Sequence, residues 1–258
     1  ILEVGLGGRL DAVNIFDPEI WIITSIGIDH QDFLGESIEE IAYEKSGISR
    51  ENKYTVLNFS NIPKPMIDNL YNKEVSLSII NSNYSFSVDS KGHNFVSQDK
   101  IISRLPMPFL KGEKQLTNLA GALQVIKLLE NKVPVKLSSI RDGIGEARIK
   151  GRIDILSEQP FVVADVAHNS DAAINLYNFI TQSKRSGKLY AVFSILENKN
   201  IMEVLRPFIG IVNEWFISEI DDPRAQKIEI IAASIKKHKK QSSVTQFKNI
   251  SQAYNEAF

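Results

Sequence analysis

The chain has 258 residues, with 30 Lys and Arg against 31 Asp and Glu and a formal net charge of −1. This balance gives no electrostatic case for nucleic-acid binding, and no apolar run is long enough to cross a bilayer. The chain has no cysteine, which excludes disulfides and thiolate metal sites and fits a reducing compartment. We expect one or two domains in a cytoplasmic monomer that binds neither nucleic acid nor membrane.

The first half of the chain alternates strand-like and helix-like segments. Residues 20–26 are apolar and rich in β-branched side chains, which predicts a strand buried on both faces. Ser37 and Glu40 have the spacing of a capping box, so we expect a helix over residues 36–48. We also predict a strand over 53–59, a helix beginning near Pro63 and ending at 70, an antiparallel meander within 75–102 that turns at Lys91 and Gly92, and a helix over 114–130.

A second alternation follows Gly151 and Arg152. It predicts strands over 161–165, 189–193 and 214–217, and helices over 171–181, 201–209 and 225–236. Such an order is typical of a doubly wound, largely parallel sheet. We therefore predict two domains, 1–148 and 149–258.

Residues 3–15 read EVGLGGRLDAVNI and are the most informative segment of the chain. An apolar start that breaks into three glycines suggests a buried strand that ends where backbone turns or approaches another group closely. Open α/β sheets bind ligands at the carboxyl ends of their strands, so Glu3 and Asp11 are candidates for a ligand-facing edge. A dinucleotide fingerprint is a weak interpretation, because Leu10 occupies the position of the third glycine.

Two further segments carry candidate chemistry in the first domain. Residues 24–35 read TSIGIDHQDFLG and place His30 between two acids at the end of a predicted strand. A carboxylate and an imidazole from neighbouring strand ends could share a hard cation, with water and phosphate completing its coordination. Lys45 lies late in the predicted helix 36–48, where a plain helix-end lysine is the alternative interpretation.

Three later motifs also stand at helix starts or strand ends. Asn118 lies near the start of a predicted helix and could be its cap. Residues 151–154 read GRID at the domain boundary, and residues 165–169 read DVAHN between a predicted strand and a predicted helix. The DVAHN position is again a carboxyl-end site of a parallel sheet.

In their order, these segments resemble the folylpolyglutamate synthases and dihydrofolate synthases of the Mur ligase superfamily, and DVAHN looks most like the bifunctional bacterial enzymes. The resemblance implies an α/β protein with a truncated central ATPase domain, followed by a Rossmann-like, doubly wound C-terminal domain. There are departures: Ser170 stands where the family usually has proline, and Asn198 and Asn200 stand where it has acids. The phosphate-cradling pattern GxxxxGK[ST], which lies upstream in the family, does not occur in the sequence.

The resemblance also implies a reaction and a set of site residues. ATP would convert a substrate carboxylate into an acyl phosphate, and L-glutamate would displace the phosphate, which adds glutamate to dihydropteroate or to folylpolyglutamate. Leu10, Asp11 and Ala12 would contact the pteroate substrate. Glu3 and His30 would hold Mg²⁺, and a carbamylated Lys45 would support that metal. The residues expected to bind ATP are Asn118, Arg152, Asp165 and His168, of which His168 is counted with Lys45 as catalytic.

Two other interpretations stay open. One is another Mur-type ligase that acts on a cell-wall precursor, against which Leu10, Asp11 and Ala12 argue. The other is a nucleotide-binding module without catalysis. Since the chain starts at Ile1 without methionine and ends within an apparent helix, we interpret it as a fragment and expect residues 1–258 alone not to turn over ATP.

Overall fold

A computed structural model of the protein describes residues 1–90, 92–109, 111–183, 187–238 and 243–258. The chain divides into two compact units, Ile1–Arg148 and Ile149–Phe258. Each unit has its own sheets and its own apolar core. The division coincides with the position of the predicted domain boundary, while the functional assignment of each domain stays a prediction.

The first unit alternates strands and helices before a three-stranded meander. Its elements are a 3₁₀-helix (Ala12–Ile15), β1 (Ile20–Ile23), α1 (Gln31–Leu34), α2 (Ile38–Ser46), β2 (Tyr54–Leu57), α3 (Lys64–Asn72), β3 (Ser76–Ile79), β4 (Tyr84–Asp89), β5 (Gly92–Ser97), β6 (Lys100–Leu105), α4 (Glu113–Leu128) and α5 (Leu137–Glu146). The predicted capping box is confirmed: Ser37 Oγ accepts from the Glu40 N–H, and the Glu40 carboxylate accepts from the Ser37 N–H.

Strand β2 is the centre of a parallel sheet with the order β1-β2-β3. Its successive side chains point to opposite faces. Leu57 belongs to a core cluster with Met66 and Leu70 of α3, whereas Val56 belongs to a cluster with Phe95 of the meander and Leu123 of α4. The sheet is therefore covered on both faces, as the apolar sequence of residues 20–26 predicts.

Two predictions for the first unit are wrong. Residues 76–79 were expected in the antiparallel meander, but they form the parallel edge strand β3, and the meander is β4-β5-β6. Alternating side chains indicate a strand without indicating its direction. Residues 1–4 were expected to end a buried strand, yet no described strand pairs with them, and Ile1, Leu2 and Glu3 are exposed. The predicted turn residue Lys91 lies outside the described residues.

The second unit continues with β7 (Asp154–Glu158), β8 (Phe161–Ala164), α6 (Ser170–Gln182), β9 (Tyr190–Phe193), α7 (Ile201–Leu205), β10 (Glu214–Ile217), α8 (Ile228–His238), β11 (Ser243–Gln246) and α9 (Ile250–Ala257). Strands β11, β10 and β9 form a parallel sheet. Trp215 and Ile217 of β10 pack in a core cluster with α6, α7 and α8, while Phe216 points to the other face and stacks on Phe247. Helix α9 also contacts β9 and β10. The predicted α/β fold class is confirmed.

One strand of this unit departs from the prediction. Residues 161–165 were expected in the parallel sheet, but β8 pairs antiparallel with β7 in a separate two-stranded ribbon. Strand β7 was not predicted, because DILSE lacks the continuous apolar run that marks a buried strand. In the parts of the chain that the structure describes, no helix is long and apolar enough to span a membrane.

Candidate active site

The glycine-containing segment, residues 3–15, forms a tight loop that the side chain of Asp11 holds together, and we call it the glycine loop. Asp11 Oδ2 accepts from the N–H groups of Gly5 (3.0 Å) and Leu6 (2.9 Å), and Oδ1 accepts from the N–H of Val13 (2.9 Å), where Asp11 caps the 3₁₀-helix. These backbone donors lower the pKa of Asp11. Both carboxylate oxygens thus organise the loop, a role that the sequence did not predict. Leu10 and Ala12 on either side are exposed, and their contact with substrate stays a prediction.

The same loop packs closely on the end of α2. The Arg9 N–H donates to the Glu44 carbonyl (2.9 Å), and the Arg9 guanidinium pairs with the Glu44 carboxylate (Nη2 to Oε1, 2.8 Å). A Cβ at Gly8 would lie 3.0 Å from the Glu44 carbonyl oxygen, and a Cβ at Gly47 would lie 2.9 Å from the Cα of Arg9. Glycine is therefore needed at both positions, because the backbone of the glycine loop and the end of helix α2 lie too close together for a side chain.

Helix α2 holds Lys45 in a partly buried position one residue before its end. Burial lowers the pKa of Lys45, and the negative charge of Asp29 partly offsets this effect. Burial disfavours the ammonium form, so a larger fraction of the side chain is a neutral amine than in an exposed lysine. The neutral amine is the nucleophilic form of lysine, which makes Lys45 chemically suited to modification.

The predicted metal ligands Glu3 and His30 are both exposed in the first unit. His30 has a left-handed backbone (φ 54°) at the start of α1, and its Nε2 lies 3.9 Å from Asp29 Oδ1. Among the residues described, no cluster of three or more His, Cys, Asp or Glu could hold a metal ion. A Mg²⁺ site of this kind takes one or two protein ligands and relies on phosphate and water for the rest, and the exposed side chains suit that arrangement.

Asn118 is exposed on α4, six residues into the helix, so the interpretation of Asn118 as the cap is wrong. Gly112 occupies the N-cap position instead. Neighbouring Thr117 contacts Asn58, a residue that no sequence motif indicated. Asn58 is 1% exposed at the carboxyl end of β2, where its N–H donates to the Ile23 carbonyl (2.9 Å).

The side chain of Asn58 joins three elements at this sheet edge. Its Nδ2 donates to the Thr117 carbonyl (3.0 Å), and its Oδ1 accepts from the Tyr84 hydroxyl (2.9 Å). Burial raises the pKa of Tyr84, so this hydroxyl stays protonated and donates. The contacts hold α4 near Asn118 against the ends of β1 and β2. Its place near the carboxyl end of the predicted strand 53–59 was the signal that could have found Asn58.

In the second unit, a strained turn brings three predicted ATP-binding residues together. Ile153 adopts φ 47°, an unfavourable backbone for a β-branched residue, and its N–H donates to Asp165 Oδ2 (2.7 Å). The Val166 N–H donates to the Gly151 carbonyl (2.9 Å), so the turn that carries Arg152 is tied to the end of β8. Strain of this kind is held in place by surrounding contacts and concentrates at ligand sites.

The electrostatics of this turn centre on Asp165. Burial raises the pKa of Asp165, and hydrogen bonds from the Ile153 and Ala167 N–H groups and the charges of Arg152 and His168 oppose that rise. His168 Nδ1 donates to the Val166 carbonyl (2.9 Å), so this nitrogen carries a proton and the ring is oriented by backbone. The turn thus gathers Arg152, Asp165 and His168 at one sheet end, and their role in ATP binding stays a prediction.

A fold with two α/β units, a glycine loop docked on a lysine-bearing helix and a DVAHN turn defines the class of protein. The chain belongs to the Mur ligase family: the Mur ligase middle domain matches residues 1–126, and the Mur ligase glutamate ligase domain matches residues 151–258. Within this family it is 36% identical over 220 residues to the dihydrofolate synthase/folylpolyglutamate synthase of Buchnera aphidicola subsp. Acyrthosiphon pisum. That match covers 85% of this chain and 52% of the relative.

Solved structures give the same result. FolC of E. coli in complex with DHPP and ADP has a TM-score of 0.87 and 33% identity, covering 98% of this chain and 58% of FolC. The bifunctional folylpolyglutamate synthase/dihydrofolate synthase of Yersinia pestis, complexed with AMPPNP and a Mn ion, has a TM-score of 0.85 and 34% identity. That match likewise covers 98% of this chain and 58% of the Y. pestis chain. The chain thus spans just over half the length of these proteins, and the resemblance seen in the sequence is confirmed.

Proposed function

We propose that the enzyme containing this chain uses ATP and Mg²⁺ to ligate L-glutamate to dihydropteroate, to folylpolyglutamate or to both. The observation that carries the proposal is Lys45, a partly buried lysine of lowered pKa on the helix against which the glycine loop packs. The relatives support it, because the E. coli protein binds DHPP and ADP and the Y. pestis protein binds AMPPNP and Mn. We also propose a cytoplasmic location, which a chain without cysteine suits.

The reaction must overcome the poor electrophilicity of a carboxylate. ATP transfers its terminal phosphoryl group to the substrate carboxylate, and the amine of glutamate then attacks the carbonyl carbon while phosphate leaves. In the proposal, Asn118, Arg152, Asp165 and His168 bind and orient the nucleotide. The positive charge of Arg152 offsets the charge of the phosphates, and the ring of His168, fixed by Val166, donates or holds a proton.

Lys45 acts in this proposal as a carbamate. Its neutral amine attacks carbon dioxide, a nitrogen–carbon bond forms, and the nitrogen loses a proton to solvent. The product is an anion where a cation stood, on the helix that the glycine loop contacts. The lowered pKa favours this step because only the neutral amine reacts.

Glu3 and His30 are the proposed metal ligands, with the carbamate of Lys45 in support. When bound, Mg²⁺ neutralises charge on the phosphoryl group in transfer. Both side chains are exposed and so are able to share a metal with the phosphates of the nucleotide.

The proposal is tested by assaying the full-length enzyme for glutamate ligation with dihydropteroate, with folylpolyglutamate and with a UDP-sugar peptide. We expect product with the first or second substrate and none with the third. Glu3→Ala and His30→Ala should each lower kcat by about a hundredfold or more, as loss of transition-state charge stabilisation does elsewhere. Glu39→Ala, an exposed acid in the first turn of α2, is the control and should leave the rate unchanged.

Ligation to the UDP-sugar peptide alone would replace the proposal with the cell-wall alternative. ATP binding without ligation of any substrate would favour a non-catalytic nucleotide-binding module. Near-normal rates in both alanine variants would remove the metal assignment.

A further inference from the structure

Arg50 makes contacts that the reaction above does not use. It follows α2 by four residues and is partly buried. Its Nη1 donates to the Ile48 carbonyl (2.8 Å), and its Nη2 donates to both the carbonyl (2.7 Å) and the side-chain Oδ1 (2.9 Å) of Asn14. The guanidinium also lies over the ring of Trp21, 5.0 Å from its centroid.

These contacts join segments that are far apart in the sequence. Asn14 belongs to the 3₁₀-helix Ala12–Ile15, Ile48 to the turn after α2, and Trp21 to β1. Asn14 also donates from Nδ2 to the Arg9 carbonyl (2.8 Å). The segment Leu10–Asp11–Ala12 therefore lies between two residues, Arg9 and Asn14, that this arrangement holds in place.

The geometry suits arginine in particular. The planar guanidinium presents several donors in one plane and stacks on an aromatic ring at the same time. A lysine ammonium is a compact charge on a flexible stem, so it cannot reproduce the contacts to Ile48, Asn14 and Trp21 together. Since Trp21 is 7% exposed, its ring gives Arg50 a fixed surface within the core.

We propose that Arg50 is a positioning residue for the pteroate substrate: through Asn14 it holds the loop of Leu10 and Ala12 on the end of helix α2. This inference rests on the proposed function, in which that loop contacts pteroate. Arg50 acts on the substrate through the loop and is not itself a catalytic residue. It therefore determines the KM for dihydropteroate and leaves the nucleotide site unaffected.

The test is steady-state kinetics of the full-length enzyme with each substrate varied in turn. Arg50→Lys should raise the KM for dihydropteroate about tenfold, the effect of losing one hydrogen bond to a charged group. The KM for ATP and kcat should stay within about twofold, because Arg50→Lys leaves the proposed nucleotide ligands, the metal ligands and Lys45 in place. Arg141→Lys is the matched control, since Arg141 lies on α5 with a long contact (3.5 Å) to the Ser103 carbonyl, and it should change no constant.

Two further variants distinguish a failure of this inference from a failure of the proposed function and from misfolding of the Arg50 variant. Leu10→Ala removes the exposed apolar side chain of the loop itself and should raise the same KM. If Leu10→Ala leaves the KM for dihydropteroate unchanged, the assignment of this loop to pteroate fails, whatever the effect of the Arg50 variant. Asn14→Ala removes the side-chain partner of Arg50 and should reproduce the selective effect even if the Arg50 variant does not fold.

Other outcomes would overturn the inference while the proposed function stands. One is that Leu10→Ala raises the KM for dihydropteroate but Arg50→Lys and Asn14→Ala do not. The other is that Arg50→Lys and Asn14→Ala raise the KM of every substrate equally and also lower the melting temperature, which is the result expected of a purely structural role.

Discussion

Lys45 shows how one residue acquires unusual chemistry from its surroundings. Its amine is partly buried on α2, and that burial lowers its pKa while Asp29 acts in the opposite direction. Between the folded and unfolded pKa values the unfolded chain binds more protons, so this group's contribution to stability rises with pH across that window. Below the folded pKa, the ammonium is present in both states and its burial is fully unfavourable.

The pKa of Lys45 is tested by competitive acetylation over a range of pH, read out by mass spectrometry. We expect half-maximal labelling of Lys45 below the pH of about 10.4 that an unperturbed lysine shows. Asp29→Asn removes the charge that stabilises the ammonium and should move the labelling curve to still lower pH. Labelling centred at or above the ordinary lysine value, or a shift of the curve to higher pH in Asp29→Asn, would contradict this assignment.

Helix α2 is the element on which the first unit's site depends. Its start is specified locally by the capping box of Ser37 and Glu40, and its end lies against the glycine loop. Gly47 allows the close approach, because a side chain there would overlap Arg9. Interiors are close-packed, so one added methyl group at such a contact forces backbone to move.

Gly47→Ala is therefore expected to displace the glycine loop. We predict a loss of about 1–3 kcal/mol in the free energy of unfolding, measured by urea denaturation, together with a lower ligation rate. Gly143→Ala is the matched control: it lies within α5 with no atom within 4 Å of the added Cβ. It should stabilise the protein by about 0.5–1 kcal/mol, since alanine is the better helix former. Equal effects of the two substitutions would contradict the close-packing interpretation.

At the scale of the whole molecule, the described residues form separate cores in the two units. Leu70 is fully buried in a cluster confined to the first unit, and Leu205 is fully buried in a cluster confined to the second. Cores of this kind can unfold as separate cooperative units. The stability of each unit should therefore respond to substitutions in its own core.

This independence is tested by hydrogen exchange with mass spectrometry. Leu205→Ala should weaken the second unit by about 2–5 kcal/mol and increase exchange in peptides from 149–258, while peptides from 1–148 keep their protection. Leu70→Ala should give the reciprocal pattern. Loss of protection across both units in either variant would show that they unfold together.

Much of the local structure could be predicted from the sequence. Apolar, β-branched runs indicated β1 and β2, the capping box indicated α2, and the order of elements indicated the parallel sheet of the second unit. Each of these signals lies within one short stretch of chain. The predictions for 76–79 and 161–165 found strands but assigned them to the wrong sheets, because a strand's partners lie elsewhere in the chain.

The features of the candidate site likewise separate into those that local sequence predicts and those that depend on tertiary contacts. The sequence alone determined the fold class, the family resemblance and the motifs, since these depend on residue type, spacing and order. Only the tertiary structure decided that Asp11 binds its own loop and that Gly8 and Gly47 allow this loop to pack against the end of helix α2. It also decided that Arg50 binds Asn14, 36 positions away in the chain. The physical reason is that hydrogen bonds and packing between distant segments depend on how the whole unit folds, which no local pattern encodes.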